Sequence, residues 1–290
     1  MPGGHEFVEG HTPSEYTRGD LVPAIDLSTG VTLSYQDSGQ GRPLILLHGV
    51  CMSNRFFERN IEPLAAHHRV IAPDFRSHGD SPAVEGGHTV EQYARDLRAL
   101  IEALDLSDVV LVGWSMGSLV AWEYLSQNVE NSGVAGVVIV SQGPSDLTQG
   151  GWDYGIADMA ELHEYVRLCQ DDFGGFFEGF VPLMFKDELE AHQSEAFLAA
   201  ISSVGANAGS LILLDQTLRD YRAVIPTLAV PHLLAWGQDE KVVPMASSDW
   251  LLAQLPNAQR EVFEHSGHCP MWEEPDRFNG VVAEWVAGLG

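Results

Sequence analysis

Lysine is almost absent from this 290-residue chain, with Lys186 and Lys241 the only two. Lysine and arginine together number 15 against 41 aspartates and glutamates, a formal net charge of −26. A field of that sign repels phosphate backbones and anionic headgroups, which argues against nucleic-acid or membrane-surface partners. The acidic residues are spread along the chain, as a charge that serves solubility would be. Cysteine is also scarce: Cys51, Cys169 and Cys269 are odd in number, scattered, and form no C-x-x-C pair. That speaks against a disulfide framework and against a zinc site. No apolar run approaches the ~18–20 residues needed to span a bilayer. Residues 1–20 are polar and lack the basic start and apolar core of a secretory signal, so a cytoplasmic location is expected.

What is present fits a large buried core, with 45% apolar and 19% charged residues. After a polar arm at 1–20, short apolar runs alternate with amphipathic segments. Val31–Tyr35 alternates apolar and polar, as an antiparallel edge strand does. Leu44–Leu47, Val70–Ala72, Val109–Val112, Val134–Val140, Leu233–Trp236 and Arg260–Phe263 suit a sheet buried on both faces. A helix is predicted from Thr89, capped by its hydroxyl, with Gln92 reaching back to complete a capping box. The last helix starts at Pro275 and carries Phe278, Val281, Val282, Trp285 and Val286 on one face. Strand–helix alternation of this kind predicts an α/β fold with a mostly parallel sheet flanked by helices. The alternation stops at 143–226, an aromatic-rich helical stretch. It reads as a cap over the carboxyl ends of the strands of a core made from 21–142 and 227–290.

Gly113-Trp114-Ser115-Met116-Gly117 follows an apolar run and precedes a helical one. A G-x-S-x-G between strand and helix is a sharp turn that lifts a serine hydroxyl above the sheet. The glycines leave room for that turn, and the helix N-terminus favours developing negative charge.

On these residues the chain resembles the α/β-hydrolase fold family, over roughly residues 25–290 apart from the cap. Leu47-His48-Gly49-Val50 is similar to the family's loop after the third strand, so the resemblance implies an oxyanion hole from the amides of Val50 and Met116. Asp74 to Ser81 resembles the family's D-x-R-G-x-G-x-S turn, with Ser77 in place of a glycine, and is taken as structural. Asp239, in Gly237-Gln238-Asp239-Glu240-Lys241-Val242-Val243-Pro244, and His268, in Gly267-His268, complete the family's order of serine, acid and histidine. Asp146, after an earlier strand, is an alternative acid. Glu240 adjoins Asp239, but a shift of one residue is expected to turn its carboxylate away.

The chemistry needs these three types. Imidazole takes the serine proton, and a carboxylate fixes the imidazole tautomer and steadies the imidazolium. The resemblance implies a serine hydrolase acting on an ester or similar acyl bond of a small, largely apolar substrate, with no metal or organic cofactor. The same triad also serves C–C bond hydrolases, perhydrolases, cofactor-free oxygenases and small-molecule receptors. Substrate-binding candidates are Trp114, Met52, Trp152, Phe177, Met184 and Trp272. Arg167, Arg219 and Arg222 are candidates to meet an anionic substrate, and Cys51 and Cys269 are expected to lie near one another.

Overall fold

The computed structural model describes residues 23–128, 132–201 and 203–290; the polar arm lies outside them. Eight strands form one sheet: β1 (Ala24–Asp26), β2 (Thr32–Gly39), β3 (Pro43–Leu47), β4 (Arg69–Pro73), β5 (Val109–Trp114), β6 (Val134–Val140), β7 (His232–Gly237) and β8 (Ala258–Phe263). Their spatial order is β1-β2-β4-β3-β5-β6-β7-β8. β3 to β8 run parallel, whereas β1 and β2 pair antiparallel. Every residue of β5 and β7 is buried, as expected of strands covered by helices on both faces. β2 is antiparallel as its alternation predicts, but it is not the edge. The three-residue β1, too short to leave an alternating pattern, pairs outside it through Ala24 and Ser34.

The helices are α1 (Ile61–Ala65), α2 (Val90–Ala103), α3 (Met116–Gln127), α4 (Met159–Asp171), α5 (Phe173–Phe180), α6 (Ala191–Ile201), α7 (Ala206–Leu218), α8 (Met245–Gln254), α9 (Pro270–Glu273) and α10 (Pro275–Ala287). No single helix among the described residues is long and apolar enough to cross a membrane. Thr89 caps α2, its hydroxyl accepting from the Gln92 amide at 3.2 Å. The reciprocal half of the predicted capping box is missing. The Gln92 side chain donates instead to Asp96, 3.2 Å away, whose carboxylate also holds Arg76 through two 2.7 Å bonds. The Val90 amide is taken up from outside the helix by Asp215 of α7, at 2.8 Å.

α4 to α7 all lie between β6 and β7. This insertion is fastened at two places. Around α7, Gln216 donates to Asp146, Tyr221 donates to Glu123, and Asp215 accepts from the Val90 amide of α2. Around residues 184–186, both lysines of the chain act as clamps. Lys186 Nζ lies 2.9 Å from Asp239, and Lys241 Nζ donates to the carbonyls of Phe185 and Lys186 at 2.8 and 2.9 Å.

Candidate active site

Ser115 stands where β5 turns into α3, with φ 52° and ψ −125°. A non-glycine residue rarely adopts this left-handed φ, and the surroundings impose it here. The Ser115 amide donates to Val140 of the neighbouring strand at 2.9 Å, and Ser118 Oγ donates to the Gly113 carbonyl at 2.6 Å. The glycines are sterically required: a Cβ at Gly117 would lie 2.1 Å from the Leu47 carbonyl oxygen, and one at Gly113 would lie 2.6 Å from the Gly117 backbone. The same closeness brings the β3 loop to the serine, since a Cβ at Gly49 would meet Ser115 Cβ at 3.4 Å. The amides of Val50 and Met116 find no acceptor among the described residues. Met116 is the first residue of a twelve-residue helix, where the amides and the helix dipole favour negative charge.

His48 holds the Val50 loop. Its Nε2 accepts from the Phe75 amide at 3.1 Å, so the hydrogen is on Nδ1, which donates to the Gly49 carbonyl at 2.9 Å. Burial and the neighbouring His78 keep its pKa well below the ordinary histidine value. The Asp74–Ser81 turn is structural: Asp74 accepts from the amides of Asn54 and Asp80 at 2.7 and 2.9 Å.

His268 is fixed on three sides. Its amide donates to the Met184 carbonyl at 2.8 Å, its carbonyl accepts from Trp114 Nε1 at 2.9 Å, and its Nδ1 lies 2.9 Å from Glu240 Oε2. The carboxylate that meets the histidine is therefore Glu240, not Asp239. Gln238 and Asp239 form the turn after β7, which leaves Asp239 43% exposed and paired with Lys186, and directs Glu240 inward, where its side chain is 1% exposed. The other Glu240 oxygen accepts from the amides of Val242 and Val243 at 2.8 and 3.2 Å. Burial pushes the Glu240 carboxyl up, but the His268 imidazole, the Val242 amide and Ser141 outweigh it and hold the group below the usual glutamate value. An ionised carboxylate only accepts, so His268 carries a hydrogen on Nδ1, and the tautomer of its neutral imidazole has the lone pair on Nε2. No hydrogen bond joins the Ser115 hydroxyl to His268 among the described residues. Such contacts are commonly long in unliganded sites and close when substrate arrives.

A profile of the alpha/beta hydrolase fold matches residues 42–275. The chain belongs to that family. It is 30% identical over 268 residues to a 2-hydroxy-6-oxononadienedioate/2-hydroxy-6-oxononatrienedioate hydrolase of Paraburkholderia xenovorans, covering 89% of this chain and 91% of the relative. It is 31% identical over 266 residues to the pimeloyl-[acyl-carrier protein] methyl ester esterase of Vibrio campbellii, covering 88% and 98%. Among solved structures, the esterase EaEST of Exiguobacterium antarcticum superimposes with a TM-score of 0.87 at 25% identity, covering 92% of this chain and all of that one.

The remaining expected site residues of this alpha/beta hydrolase divide sharply. Trp114 and Met52 are buried beside the elbow and the Val50 loop, and Met184 holds the His268 amide through its backbone. Trp152 is elsewhere: its indole donates to Ser145 and packs edge-on to Tyr154 and Trp250. Phe177 is absorbed in a cluster with Phe173, Phe176 and Phe180. Asp146 does not hydrogen-bond to His268; its carboxylate accepts from Gln142 at 2.6 Å and Gln216 at 3.3 Å. Arg167, Arg219 and Arg222 are each paired with carboxylates of their own neighbourhood, Glu164, Asp215 and Asp220, so none is spare for an anion. Cys51 packs beneath α7, where a side chain at Gly209 would come 3.1 Å from its sulfur.

Two rings were not anticipated. Phe56 stacks on Trp114 with centroids 5.1 Å apart, and Phe197 of α6 stacks on Phe56 at 4.6 Å. Both come from segments whose periodicity is no different from that of ordinary core. Among the described residues, no group of three or more His, Cys, Asp or Glu gathers as a metal site.

Proposed function

We propose that this chain is a serine hydrolase that cleaves an ester, or a similar acyl bond, of a small and largely apolar substrate through an acyl-enzyme. Ser115 attacks the carbonyl carbon while His268 Nε2 takes its proton. The amides of Val50 and Met116 hold the oxyanion, and His268 returns the proton to the leaving alcohol. Water, deprotonated by the same nitrogen, then attacks the acyl-enzyme and releases the acid. Glu240 keeps His268 in the Nδ1–H tautomer and balances the imidazolium. The helices between β6 and β7 act as the cap that shapes the substrate site, and the scheme calls on no metal or organic cofactor.

The observation that carries this reading is the pairing of a strained, helix-opening Ser115 with a buried Glu240–His268 couple at the same end of the sheet. A second reading, hydrolysis of a C–C bond on the same residues, is favoured by the 30%-identical 2-hydroxy-6-oxononadienedioate hydrolase relative. Initial rates on p-nitrophenyl esters of increasing acyl length, with Ser115→Ala beside the wild type, separate the two. Rapid turnover lost in Ser115→Ala, at an unchanged melting temperature, supports the esterase. A folded protein slow on every ester supports the second reading, and turnover that survives Ser115→Ala refutes the acyl-enzyme.

A further inference from the structure

Ser141 directly follows β6, and its backbone is as unusual as that of the elbow serine. Its φ is 50°, beside 52° at Ser115. A non-glycine residue is strained in this left-handed conformation, whereas glycine adopts it freely. The chain places glycine at Gly39, Gly79 and Gly205, where φ is 78°, 53° and 77°. At Ser141 it keeps a side chain instead and buries it completely. The Ser141 amide donates to the Ala235 carbonyl of β7 at 3.0 Å, which anchors the backbone. Its hydroxyl is buried and makes no fully formed hydrogen bond. Backbone geometry alone would select glycine here, so the side chain is kept for its hydroxyl.

That hydroxyl faces Glu240. Ser141 helps hold the carboxylate ionised, in company with His268 and the Val242 amide. The two loops interlock: a Cβ at Gly143 would lie 3.6 Å from the Val243 side chain, and the Val243 amide is one of the two on Glu240. An ionised carboxylate offers about four acceptor positions, two on each oxygen. One Glu240 oxygen is filled by the amides of Val242 and Val243, at 2.8 and 3.2 Å. The other receives His268 Nδ1 at 2.9 Å and has one position left. A buried carboxylate with an unused acceptor position thus stands beside a buried hydroxyl with no other partner. The titratable groups nearby are engaged elsewhere. Asp146, which senses the His268 charge, accepts from Gln142 and Gln216. Glu273, which senses Glu240, accepts from the amides of Lys186 and Gly267. Burial and these carboxylates push the Cys269 thiol well above its ordinary value.

We propose that Ser141 is a positioning residue that acts through Glu240: its hydroxyl donates to the oxygen facing His268 and fixes the carboxylate against the imidazole. This inference deepens the hydrolase reading above and rests on it. When His268 takes the Ser115 proton, the carboxylate must keep its place and balance the new charge. Two amides hold the far oxygen, so the near oxygen is the one able to swing. The Ser141 hydroxyl supplies the hold on that side, and the strained φ aims it.

The test compares Ser141→Ala and Ser141→Gly with wild type, by kcat and KM for p-nitrophenyl acetate from about pH 5 to 9. Both variants lack the hydroxyl, but only Ser141→Gly is relieved of strain, so it should melt above Ser141→Ala. Both should nevertheless lose about tenfold in kcat with KM little changed, as expected for one hydrogen bond to a charged group. With that donor removed, the carboxylate oxygen turns more negative charge toward the imidazolium. The acid limb of the kcat/KM profile should therefore move up by about half a pH unit. A role in the backbone alone would give Ser141→Gly a wild-type kcat and an unmoved acid limb, and that result overturns the proposal. NMR titration of ¹³C-labelled histidine follows the His268 ring without substrate, its signal assigned by its absence in His268→Ala. A wild type slow on every ester defeats the ester-hydrolase reading, and the titration still decides the role of Ser141. A midpoint raised in both Ser141 variants sustains that role, and an unmoved midpoint refutes it.

Discussion

Replacing Glu240 by Gln is the most informative single change, because the structure dictates what the new amide must do. Glu240 Oε1 accepts from the amides of Val242 and Val243, so the carbonyl oxygen of Gln is held there. Its NH₂ is then forced toward His268 Nδ1, where the carboxylate stood at 2.9 Å. Two donors cannot face one another, and His268 must carry its hydrogen on Nε2. In that tautomer it cannot take the Ser115 proton. Losing the tautomer and the counter-charge together is expected to lower kcat/KM by ~10⁴, equivalent to about 5.5 kcal/mol of transition-state stabilisation. Asp239→Asn removes only a half-exposed pair with Lys186, worth about 1 kcal/mol or less to stability, and should leave kcat/KM within about threefold of wild type. The assay is hydrolysis of a short p-nitrophenyl ester at pH 7.5, with circular dichroism to show that both variants are folded. The reasoning fails if Asp239→Asn is the crippled protein and Glu240→Gln is not.

Two further changes test the scaffold. Gly117→Ala drives a methyl group to 2.1 Å from the Leu47 carbonyl oxygen, backbone that has nowhere to move. It should cost about 3 kcal/mol or more, seen as a large drop in urea midpoint or as insoluble protein. Asp146 titrates unusually: burial pushes its carboxyl up to about 6 from 3.8, against the opposing Gln142 hydrogen bond and His268 charge. Since its folded pKa is raised, its contribution to stability is full below pH ~4 and lost as pH rises through ~6, an effect of roughly 3 kcal/mol at most. Asp74, also pushed up to about 6 by burial, acts in the same direction. Asp146→Asn should therefore flatten part of the fall in urea midpoint between pH 4.5 and 7.5 and keep ester turnover. The new amide can donate to Gln216 Oε1, which is buried without a partner. An unchanged slope would show that Asp146 does not carry the proton, and a loss of turnover comparable to Glu240→Gln would make it the working acid.

What was legible in the sequence is what leaves a local and periodic trace. Uninterrupted apolar runs announced β3, β5, β6 and β7, and the Gly113–Gly117 spacing announced the elbow, because close backbone packing there tolerates no side chain. The carboxylate that meets His268 was missed by one residue for a physical reason: in a strand or helix, sidedness follows from spacing, but in the turn after β7 it depends on where the chain reverses. That reversal is set by Gly237, where a Cβ would lie 1.9 Å from the Gly267 carbonyl of another loop. Trp152 packs against Tyr154 and Trp250, and Phe177 among Phe173, Phe176 and Phe180, because where each aromatic of the insertion lands depends on where the insertion is fastened. The two lysines make the same point. Their scarcity was readable as a global charge, but their use was not. Both sit on the seam between the insertion and the loops that carry Glu240 and His268, and a chain with −26 net charge places its two lysines where acidic side chains and carbonyls converge. Composition carried only the sign and size of the charge, while the positions of the rare lysines report how the insertion is tied to the loops that carry Glu240 and His268.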